Sequence, residues 1–325
     1  MTTYAASGNT ATPRSDTESF LSFRPLLFSI AYRMLGSVAD AEDALQETWL
    51  RWRHAQEQGE EIRNPKAWLT TTLSRICLDE LGSARVKREQ YVGAWLPEPL
   101  AGATPDVAET APDHESLSTA FLVLLESLSP KERAVFLLHD VFAYDFAGIA
   151  GIVSESETYC RQLARRARAH MVARRPRYEV DDAQRERLTN RFIEAVSNGD
   201  MAALTAVLAE DVVATADGGG KVNAARKPVI GRDTVATFLL RLFEMLPTRP
   251  ELRPQAINGE PGAITVIGGA IGNAVTFDYD YVGDRITHLY IQVNPDKLEP
   301  LAAALHAPVA DWKALLPRRG KEAAQ

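Results

Sequence analysis

Apolar residues recur every three to four positions over the first half of the chain, a pattern that predicts a series of amphipathic helices. The first predicted helix spans Phe20–Leu35, and the second begins near Asp40. A third opens at Asn64-Pro65 and runs to about Leu81, with the asparagine as cap and the proline in the first turn. These helices predict a small all-α unit at the N-terminal end.

A second group of helices follows a proline-containing segment without helical period, Tyr91–Glu115. Ser129–Glu132 has the sequence of a capping box with proline at the first helical position. Two short helices are predicted at about Asp145–Ile152 and Ser156–Ala173, and the second is strongly basic. Two helices joined by a short turn, the second basic, indicate a helix-turn-helix.

Beyond Pro176 the pattern shifts from helical spacing towards alternation. Helices are predicted at Gln184–Ser197, Met201–Leu208 and Arg232–Leu246. A strand is predicted just before the glycine-rich segment Asp217–Lys221, and further strands are predicted at Ala263–Ile267, Ala274–Tyr281 and Arg285–Val293. Helices followed by a meander of strands favour an α+β cone or half-barrel. The predicted fold is therefore multidomain, with two all-α units and an α+β domain behind them.

Composition and charge narrow the range of functions. The 325 residues suffice for two or three domains, and 46% apolar with 24% charged residues is ordinary for a globular protein. A net charge of -7 argues against coating nucleic acid through bulk charge. The segment Arg161–Arg177, however, holds seven arginines and no acid, which favours a directed phosphate contact over a solvated surface helix.

Other features of the sequence argue against a membrane span, a disulfide scaffold and a metal site. No apolar run approaches the length of a membrane span, and Met1–Thr17 is polar, which predicts a disordered tail rather than a signal peptide. Cys77 and Cys160 are too few for a disulfide scaffold, and neither they nor the six histidines have metal-ligand spacing. We therefore expect no metal or cofactor, and a reducing cytoplasm as the location.

The basic helix carries the side chains that a DNA-recognition helix needs. Small or polar residues at its start reach base edges, and arginines further along hold phosphates. The residues predicted to contact DNA here are Ser156, Thr158, Tyr159, Arg161, Gln162, Arg165, Arg166 and Arg168.

Several segments resemble the sigma factors of the extracytoplasmic-function class. Asp40–Trp52 looks like the family's helix that binds core RNA polymerase, and Asn64–Asp79 resembles the helix that recognises the -10 promoter element. Leu128–Asp140 and Ser156–Arg168 resemble the domain that reads the -35 element. The motifs come in the family's order and cover about Ser19–Arg175.

Three further motifs resemble the sigma-J-like subgroup, whose C-terminal extension is a SnoaL-like domain with the NTF2-like cone fold. They are Trp95–Pro99, Asp217–Lys221 and Asn294–Leu298. The resemblance implies a disordered tail at 1–18, sigma region 2 at 19–90, a linker at 91–115, sigma region 4 at 116–177, a SnoaL-like regulatory domain at 184–316 and a flexible tail at 317–325.

The resemblance also implies function and partners. The chain would direct RNA polymerase to specific promoters, binding promoter DNA together with the β′ clamp and β flap of core polymerase. Its fused domain would modulate this activity in place of a separate anti-sigma factor, and the chain would not be an enzyme. The residues implied to face core polymerase are Asp43, Gln46, Glu47, Arg51 and Arg53. Those implied to hold the -10 element are Arg63, Asn64, Lys66, Thr70, Arg75, Arg85, Lys87 and Arg88.

We further hypothesise that the glycine-rich turn Asp217–Lys221 packs on the linker around Trp95–Pro99 and sets the positions of the two DNA-reading units. Its spacing lacks the GxxxxGK[ST] pattern of a phosphate loop, and its glycines permit close backbone approach. The residues assigned to this contact are Trp95, Leu96, Pro97, Asp217, Gly218, Gly219, Gly220, Lys221, Asn294, Pro295, Asp296, Lys297 and Leu298. We expect a closed chain in which the acidic remainder shields the arginine helix.

Two alternative functions stay open at this point. One is a ligand-sensing DNA-binding regulator that never touches core polymerase. The other is an enzyme of the cyclase or hydrolase type with a DNA-binding appendage, for which the candidate acid-base residues are Asp278, Asp280, His288 and Tyr290. A strand with one polar solvent face explains these four residues more simply. Whether the cone holds an unknown small ligand also stays open.

Overall fold

Three helices form the N-terminal helical unit: α1 (Asp16–Leu35), α2 (Val38–Glu57) and α3 (Pro65–Glu89). The structure is a computed structural model that describes residues 16–89, 91–101, 117–172, 182–246, 248–280 and 284–315. Asn64 caps α3, since its Oδ1 accepts the backbone N–H of Ala67 at 3.1 Å. The helix continues past its predicted end at Leu81, because Gly82 weakens a helix without breaking it.

Among the described residues, the helix-turn-helix unit contains the helices α4 (Thr119–Leu125), α5 (Pro130–Phe136), α6 (Phe146–Val153) and α7 (Glu157–Val172). The predicted capping box is present, with Ser129 and Glu132 each bonding the other's backbone. A π-helical turn, Leu137–Val141, continues α5, where the sequence had predicted an unbroken α-helix. Ser154, at φ 54°, ends α6 in the left-handed conformation and opens the turn to α7.

The two helical units share one hydrophobic core. Leu69 and Leu73 of the first unit belong to the same cluster of buried residues as Leu125 and Leu138 of the second. The described chain is therefore closed on itself, with the helix-turn-helix unit seated against the N-terminal helical unit rather than tethered at a distance.

The C-terminal part, which we call the sheet domain, has a six-stranded sheet with helices on both faces. Its elements are α8 (Asp182–Asn198), α9 (Met201–Val207), β1 (Leu208–Asp217), β2 (Val229–Ile230), α10 (Arg232–Glu244), β3 (Glu251–Ile257), β4 (Glu260–Ile267), β5 (Ala270–Asp280), β6 (Arg285–Gln292), α11 (Pro295–Ala304) and α12 (Trp312–Leu315). The strand order is β2-β1-β6-β5-β4-β3, with β1 and β6 parallel and the other pairs antiparallel.

Strands β2 and β3 were not predicted from the sequence. Pro254 and exposed polar residues interrupt the apolar alternation of β3, which the fold tolerates because β3 is an edge strand. The β3–β4 hairpin turns at Asn258-Gly259, both at positive φ, which is the backbone that a two-residue hairpin requires.

The sheet has two differently used faces. Its inner face packs Ala214, Phe277, Leu289 and Ile291 into a core with α8, α9 and α10. Its outer face packs Ile264 and other residues against α11 and the linker residue Ala101. Because side chains alternate along a strand, the same strand can pack one set of side chains into the cone interior and the other set against the linker.

None of the helices among the described residues combines the length and apolar character needed to cross a membrane. The described residues also contain no group of three or more His, Cys, Asp or Glu side chains arranged to hold a metal ion.

Candidate nucleic-acid interface and interdomain contact site

Helix α7 presents its predicted DNA-contacting residues to solvent. Ser156 caps the helix, since its Oγ accepts the backbone N–H of Tyr159 at 3.2 Å. Cys160, Leu163, Ala164 and Ala167 are buried on the opposite side and fix the helix on its unit. The exposed residues on the free face are Ser156, Thr158, Tyr159, Arg161, Gln162, Arg165, Arg166 and Arg168.

Three of these arginines pair with acids of their own unit. Arg161 bonds Glu157 at 3.0 Å, Arg166 bonds Glu132 at 2.9 Å, and Arg168 bonds an acid of the π-helical turn at 2.7 Å. Glu132 and Asp140 lie outside α7, so acids from elsewhere in the chain pair with two of these arginines, whereas Arg161 pairs within its own helix. The arginine side chains of these pairs are exposed, and ion pairs at the protein surface contribute little to stability, so phosphates can replace the carboxylates at small cost.

The residues predicted to hold the -10 element divide into exposed and covered ones. Arg63, Asn64 and Lys66 are exposed at the start of α3. Thr70, in contrast, is buried, and its hydroxyl lies 2.9 Å from the hydroxyl of Tyr144 in the helix-turn-helix unit. The side chains of Arg85, Lys87 and Arg88 lie outside the described residues.

Two further side chains of α3 also meet the helix-turn-helix unit. The guanidinium of Arg75 donates to the carbonyl of Gly151 in α6 at 2.7 Å, and the ammonium of Lys66 lies 5.9 Å from the ring centre of Tyr144. In this conformation part of the predicted -10 surface is thus occupied by the other DNA-reading unit. The expectation that Thr70 faces DNA requires that unit to move first.

The residues predicted to face core polymerase lie on the outer side of α2. Asp43, Gln46, Arg51 and Arg53 are exposed, and Glu47 is half-buried and pairs with Arg51 at 2.8 Å. Because four of these five side chains are exposed, this face of α2 is open to solvent in the closed chain.

The three subgroup motifs meet at one buried ion pair. Asp217 and Lys297 are joined by a 2.7 Å bond, and Asp217 is fully buried. The carboxylate of Asp217 accepts the backbone N–H of Leu96 at 2.9 Å, and the ammonium of Lys297 donates to the carbonyl of Leu96 at 2.6 Å. One linker residue is therefore held through both of its backbone groups by opposite charges of the sheet domain.

Aromatic residues of the linker enclose this pair. The ammonium of Lys297 lies 4.3 Å from the ring centre of Trp95 and 5.0 Å from that of Tyr91, which are favourable cation–π distances. The Tyr91 hydroxyl donates to Asp217 at 2.7 Å and accepts from the amide of Asn294 at 3.1 Å. Burial and the Asp217 carboxylate raise the pKa of Tyr91 well above its usual value.

The remaining motif residues shape this site. Gly219, at φ 58°, leaves no room for a side chain, since a Cβ there would lie 2.3 Å from Nδ2 of Asn294. Gly218 and Gly220 complete the turn, and Lys221 forms an exposed ion pair with Asp296. Pro295 opens α11, and Leu298 is buried on the outer face of the sheet.

The linker also grips the N-terminal helical unit. Trp95 lies on Gly36, where a Cβ would be only 2.5 Å from the indole ring. Glu98 accepts from the Ser37 hydroxyl at 2.9 Å and from the Val38 backbone N–H at 2.6 Å. These donors lie at the N-terminus of α2, where a carboxylate is favoured. Burial nevertheless raises the pKa of Glu98, with these hydrogen bonds opposing the rise.

Asn258, which belongs to none of the sequence motifs, joins four parts of the molecule. Its Oδ1 accepts from the Leu100 backbone N–H at 2.8 Å and from the Tyr32 hydroxyl at 3.3 Å. Its Nδ2 donates to the Thr119 hydroxyl at 3.3 Å. The Asn-Gly dipeptide between two apolar runs was the sequence signal for its hairpin. Nothing in the sequence indicated that the asparagine side chain reaches other units.

Arg133 makes a second unpredicted contact between units. Its guanidinium is buried, donates to the Met34 carbonyl of α1 at 2.7 Å and bonds Glu126 at 2.7 Å. Burial lowers the pKa of Arg133 to about 9. The C-terminal end of α1 is thereby fixed to the start of the helix-turn-helix unit.

The candidate acid-base residues of the sheet do not line the cone. Asp278 is paired with His288 across β5 and β6, on the face opposite the inward-facing Phe277 and Leu289. The His288 ring stacks on Tyr290, and its Nε2 lies 2.8 Å from the Thr215 hydroxyl. Burial lowers the pKa of His288 to about 4. Asp280, which pairs with Arg285, lies beyond a register shift of this ladder.

Three family models match the chain in succession. They are Sigma-70 region 2 over residues 20–86, Sigma-70 region 4 over residues 118–171, and a SnoaL-like domain over residues 189–288. The ECF RNA polymerase sigma factor SigJ of Mycobacterium tuberculosis is 37% identical over 301 residues, covering 87% of this chain and 93% of SigJ.

The chain belongs to the extracytoplasmic-function sigma factors. It is also similar to the probable ECF sigma factor SigI of Mycobacterium tuberculosis, at 33% identity over 87% of this chain and 94% of SigI. The crystal structure of Mycobacterium tuberculosis SigJ matches with a TM-score of 0.70 and 33% identity, covering 87% of this chain and 98% of that one.

These similarities confirm the predicted family and fold class, with helical sigma domains followed by a SnoaL-like domain. The protein is a sigma factor that takes part in promoter recognition by RNA polymerase, so core polymerase and promoter DNA are its partners. Sigma factors are not enzymes, and the two alternatives considered from the sequence are set aside. The N-terminal helical unit corresponds to region 2, the helix-turn-helix unit to region 4 and the sheet domain to the SnoaL-like domain.

Proposed function

We propose that the SnoaL-like sheet domain takes the place of a separate anti-sigma factor by holding this sigma factor closed. The observation that carries the proposal is the buried Asp217–Lys297 pair, which binds both backbone groups of Leu96. Asn258 holds the same linker at a second point, because its side chain accepts the backbone N–H of Leu100. The sheet domain thus fixes the segment that sets the distance between the two helical units.

Closure restrains promoter binding because it covers part of the predicted -10 surface. Thr70 and Arg75 are engaged by Tyr144 and Gly151 of the helix-turn-helix unit. Capturing unpaired DNA bases costs a few kcal/mol, which exposed polar and cationic side chains offset. While these side chains contact protein, that compensation is missing. DNA binding in the -10 region therefore requires the two helical units to separate.

The surfaces predicted to meet core polymerase and the -35 element differ from the -10 surface because they are exposed in the closed chain. We infer that the exposed face of α2, with Asp43 and Arg51, meets the β′ clamp of core polymerase, and that the helix-turn-helix unit meets the β flap. The exposed arginines of α7, including Arg165, would hold phosphates of the -35 element. Both surfaces are accessible in the closed chain, so core polymerase can dock before opening. The place of action is then the cytoplasm, where core polymerase works on DNA.

Reconstituted transcription tests the proposal. Core RNA polymerase and a promoter from upstream of the protein's own gene are combined with the full chain or with the variant Lys297→Met. Loss of the ammonium leaves the buried Asp217 carboxylate without its cation, a change that typically costs about 3–5 kcal/mol. The matched control is Lys227→Met, which removes an exposed lysine of the sheet domain that lies outside the three motifs.

We expect Lys297→Met to initiate more transcript than the wild type at equal concentration, and Lys227→Met to equal the wild type. Lower initiation by a folded Lys297→Met chain would mean that the sheet domain supports the active state, and would refute the restraint. Absence of initiation by every version, with the chain still binding that DNA alone, would contradict the assignment to this promoter and to polymerase-dependent action.

A further inference from the structure

The mouth of the cone holds a cavity of about 490 Å³ on the inner face of the sheet. Phe238 and Leu242 of α10, Ile291 of β6 and Trp312 of α12 form its apolar walls. Its volume lies in the range that accommodates small organic ligands. Trp312 is fixed in place because its indole N–H donates to the Gly272 carbonyl at 2.7 Å.

The polar groups of this cavity are all neutral or cationic. They are Lys221, Asn223 and Lys313, and none of the described residues that line the cavity is acidic. Lys221 is paired with Asp296, whereas no ion pair of Lys313 is found among the described residues. An apolar enclosure with cations at its rim favours a ligand that has an apolar body and one acidic group.

The cavity and the linker site share two strands. In β6, Ile291 lines the cavity, while Gln292, the next residue, donates to the Pro97 carbonyl at 3.4 Å. In β1, Ala216 lines the cavity, while Asp217 holds the linker. Because successive side chains of a strand point to opposite faces, a ligand on one face touches the strands that grip the linker on the other.

The glycine-rich turn extends this connection. Gly220 lines the cavity, and a Cβ at this position would lie 3.1 Å from the Cβ of Val92 in the linker. The turn is closed by the Lys221 and Val222 backbone N–H groups, which both donate to the Gly218 carbonyl. A ligand that moves this turn therefore also changes its fit against the linker.

We propose that this cavity binds a small apolar acid, such as an aromatic or long-chain carboxylate, and that its occupancy alters the grip of the sheet domain on the linker. The coupling rests on the proposed function, whereas the binding site stands on its own geometry. A ligand shifts the closed equilibrium only by the difference between its affinities for the two states.

Fluorescence titration of the full chain tests the binding site. The probes are the anion anilinonaphthalenesulfonate and its uncharged relative N-phenylnaphthylamine. Ala225→Phe fills the cavity, Lys313→Met removes a rim cation, and Lys227→Met is the matched control at an exposed lysine outside the cavity. Urea unfolding of each variant establishes that it is folded.

We expect saturable binding of one anion per chain, weakened about tenfold or more by Ala225→Phe, which corresponds to roughly 1.4 kcal/mol. Lys313→Met weakens the anion and leaves the neutral probe unchanged, and Lys227→Met leaves both unchanged. Equal affinity of the wild type and a folded Ala225→Phe chain, or no saturable binding by the wild type, would overturn the site.

Hydrogen exchange of the linker amides tests the coupling. Saturating probe should change exchange over residues 91–100 in the wild type and leave it unchanged in Ala225→Phe. Saturable binding without any change in exchange would overturn the coupling alone. The transcription test of the proposed function contains no probe, so its failure is distinguishable from either of these results.

Discussion

Replacing Asn258 with glycine isolates the contribution of one side chain to closure. Asn258 has φ 53°, a conformation that glycine adopts without strain, so Asn258→Gly leaves the hairpin backbone intact. The substitution removes the acceptor of the Leu100 N–H and the donor to Thr119. Tyr32 keeps a second acceptor, the Glu98 carbonyl at 2.5 Å.

The magnitude follows from these bonds. Each lost hydrogen bond contributes about 1 kcal/mol, and leaving the buried Leu100 N–H without an acceptor costs about 1–3 kcal/mol. We therefore expect Asn258→Gly to weaken the linker contact by about 2–4 kcal/mol. At 1.4 kcal/mol per factor of ten, this corresponds to roughly 30- to 1000-fold faster exchange of the linker amides.

Hydrogen exchange measured by mass spectrometry on a peptide that covers residues 96–101 gives this number directly. The matched control is Asp284→Gly, since Asp284 has φ 55° in another hairpin, is exposed, and accepts one hydrogen bond from Gln184. The control should leave linker exchange unchanged. Less than about threefold acceleration in Asn258→Gly, equivalent to roughly 0.6 kcal/mol, would refute the role assigned to this residue.

Three further predictions concern stability. Arg133→Met should lower the free energy of unfolding by about 3 kcal/mol in urea titration, because buried carbonyls lose their donor; a loss under about 1 kcal/mol would contradict this. Gly219→Ala should destabilise the chain more than Gly59→Ala. Both glycines have a positive φ, of 58° and 70°, but only Gly219 lacks space for a Cβ. Equal urea midpoints of the two variants would count against the tight turn. Burial holds the pKa of His288 in the folded chain at about 4. As the pH falls below the ordinary histidine pKa of about 6.5, this residue therefore gains a proton only in the unfolded chain. Stability should thus fall between pH 6.5 and 4, and less so in His288→Gln, as measured by denaturant midpoints at pH 7 and pH 5; identical pH dependence would exclude this histidine as a cause.

The helical half of the fold could be predicted because its signals are local. The Ser129–Glu132 capping box, the Asn64 cap and the basic face of α7 each depend on residues within one or two helical turns. The strands were harder to predict. In β3, Pro254 and polar residues break the alternation, and only pairing with β4 stabilises the strand.

The site residues likewise divide into those that a local sequence motif marks and those whose role depends on distant contacts. Motifs of the linker and the glycine-rich turn stand out as short segments, and the structure brings Leu96, Asp217 and Lys297 together. Asn258 and Arg133 could not be identified from the sequence, because the partners that they contact in other units lie more than 90 residues away and a single polar residue carries no periodic signal. Their roles depend on tertiary packing alone.

Thr70 illustrates a different limit. Its position on α3 matches a DNA-contacting segment of the family, yet its side chain is buried against Tyr144. A sequence motif indicates which surface functions in the active complex. It does not indicate which surface is covered when the protein is alone, because that depends on how two separately recognisable units pack.

The most direct test of the account is the distance between the two helical units in solution. The native Cys77 and Cys160 are buried, so dyes can be placed on thiols introduced at the exposed positions Gln58 and His170. Single-molecule energy transfer is then compared between this labelled chain, Lys297→Met in the same background and the control Lys227→Met. We expect one transfer population for the labelled chain and for Lys227→Met, and a shift towards separated units in Lys297→Met. An unchanged transfer distribution in folded Lys297→Met would contradict the claim that the sheet domain holds the sigma factor closed.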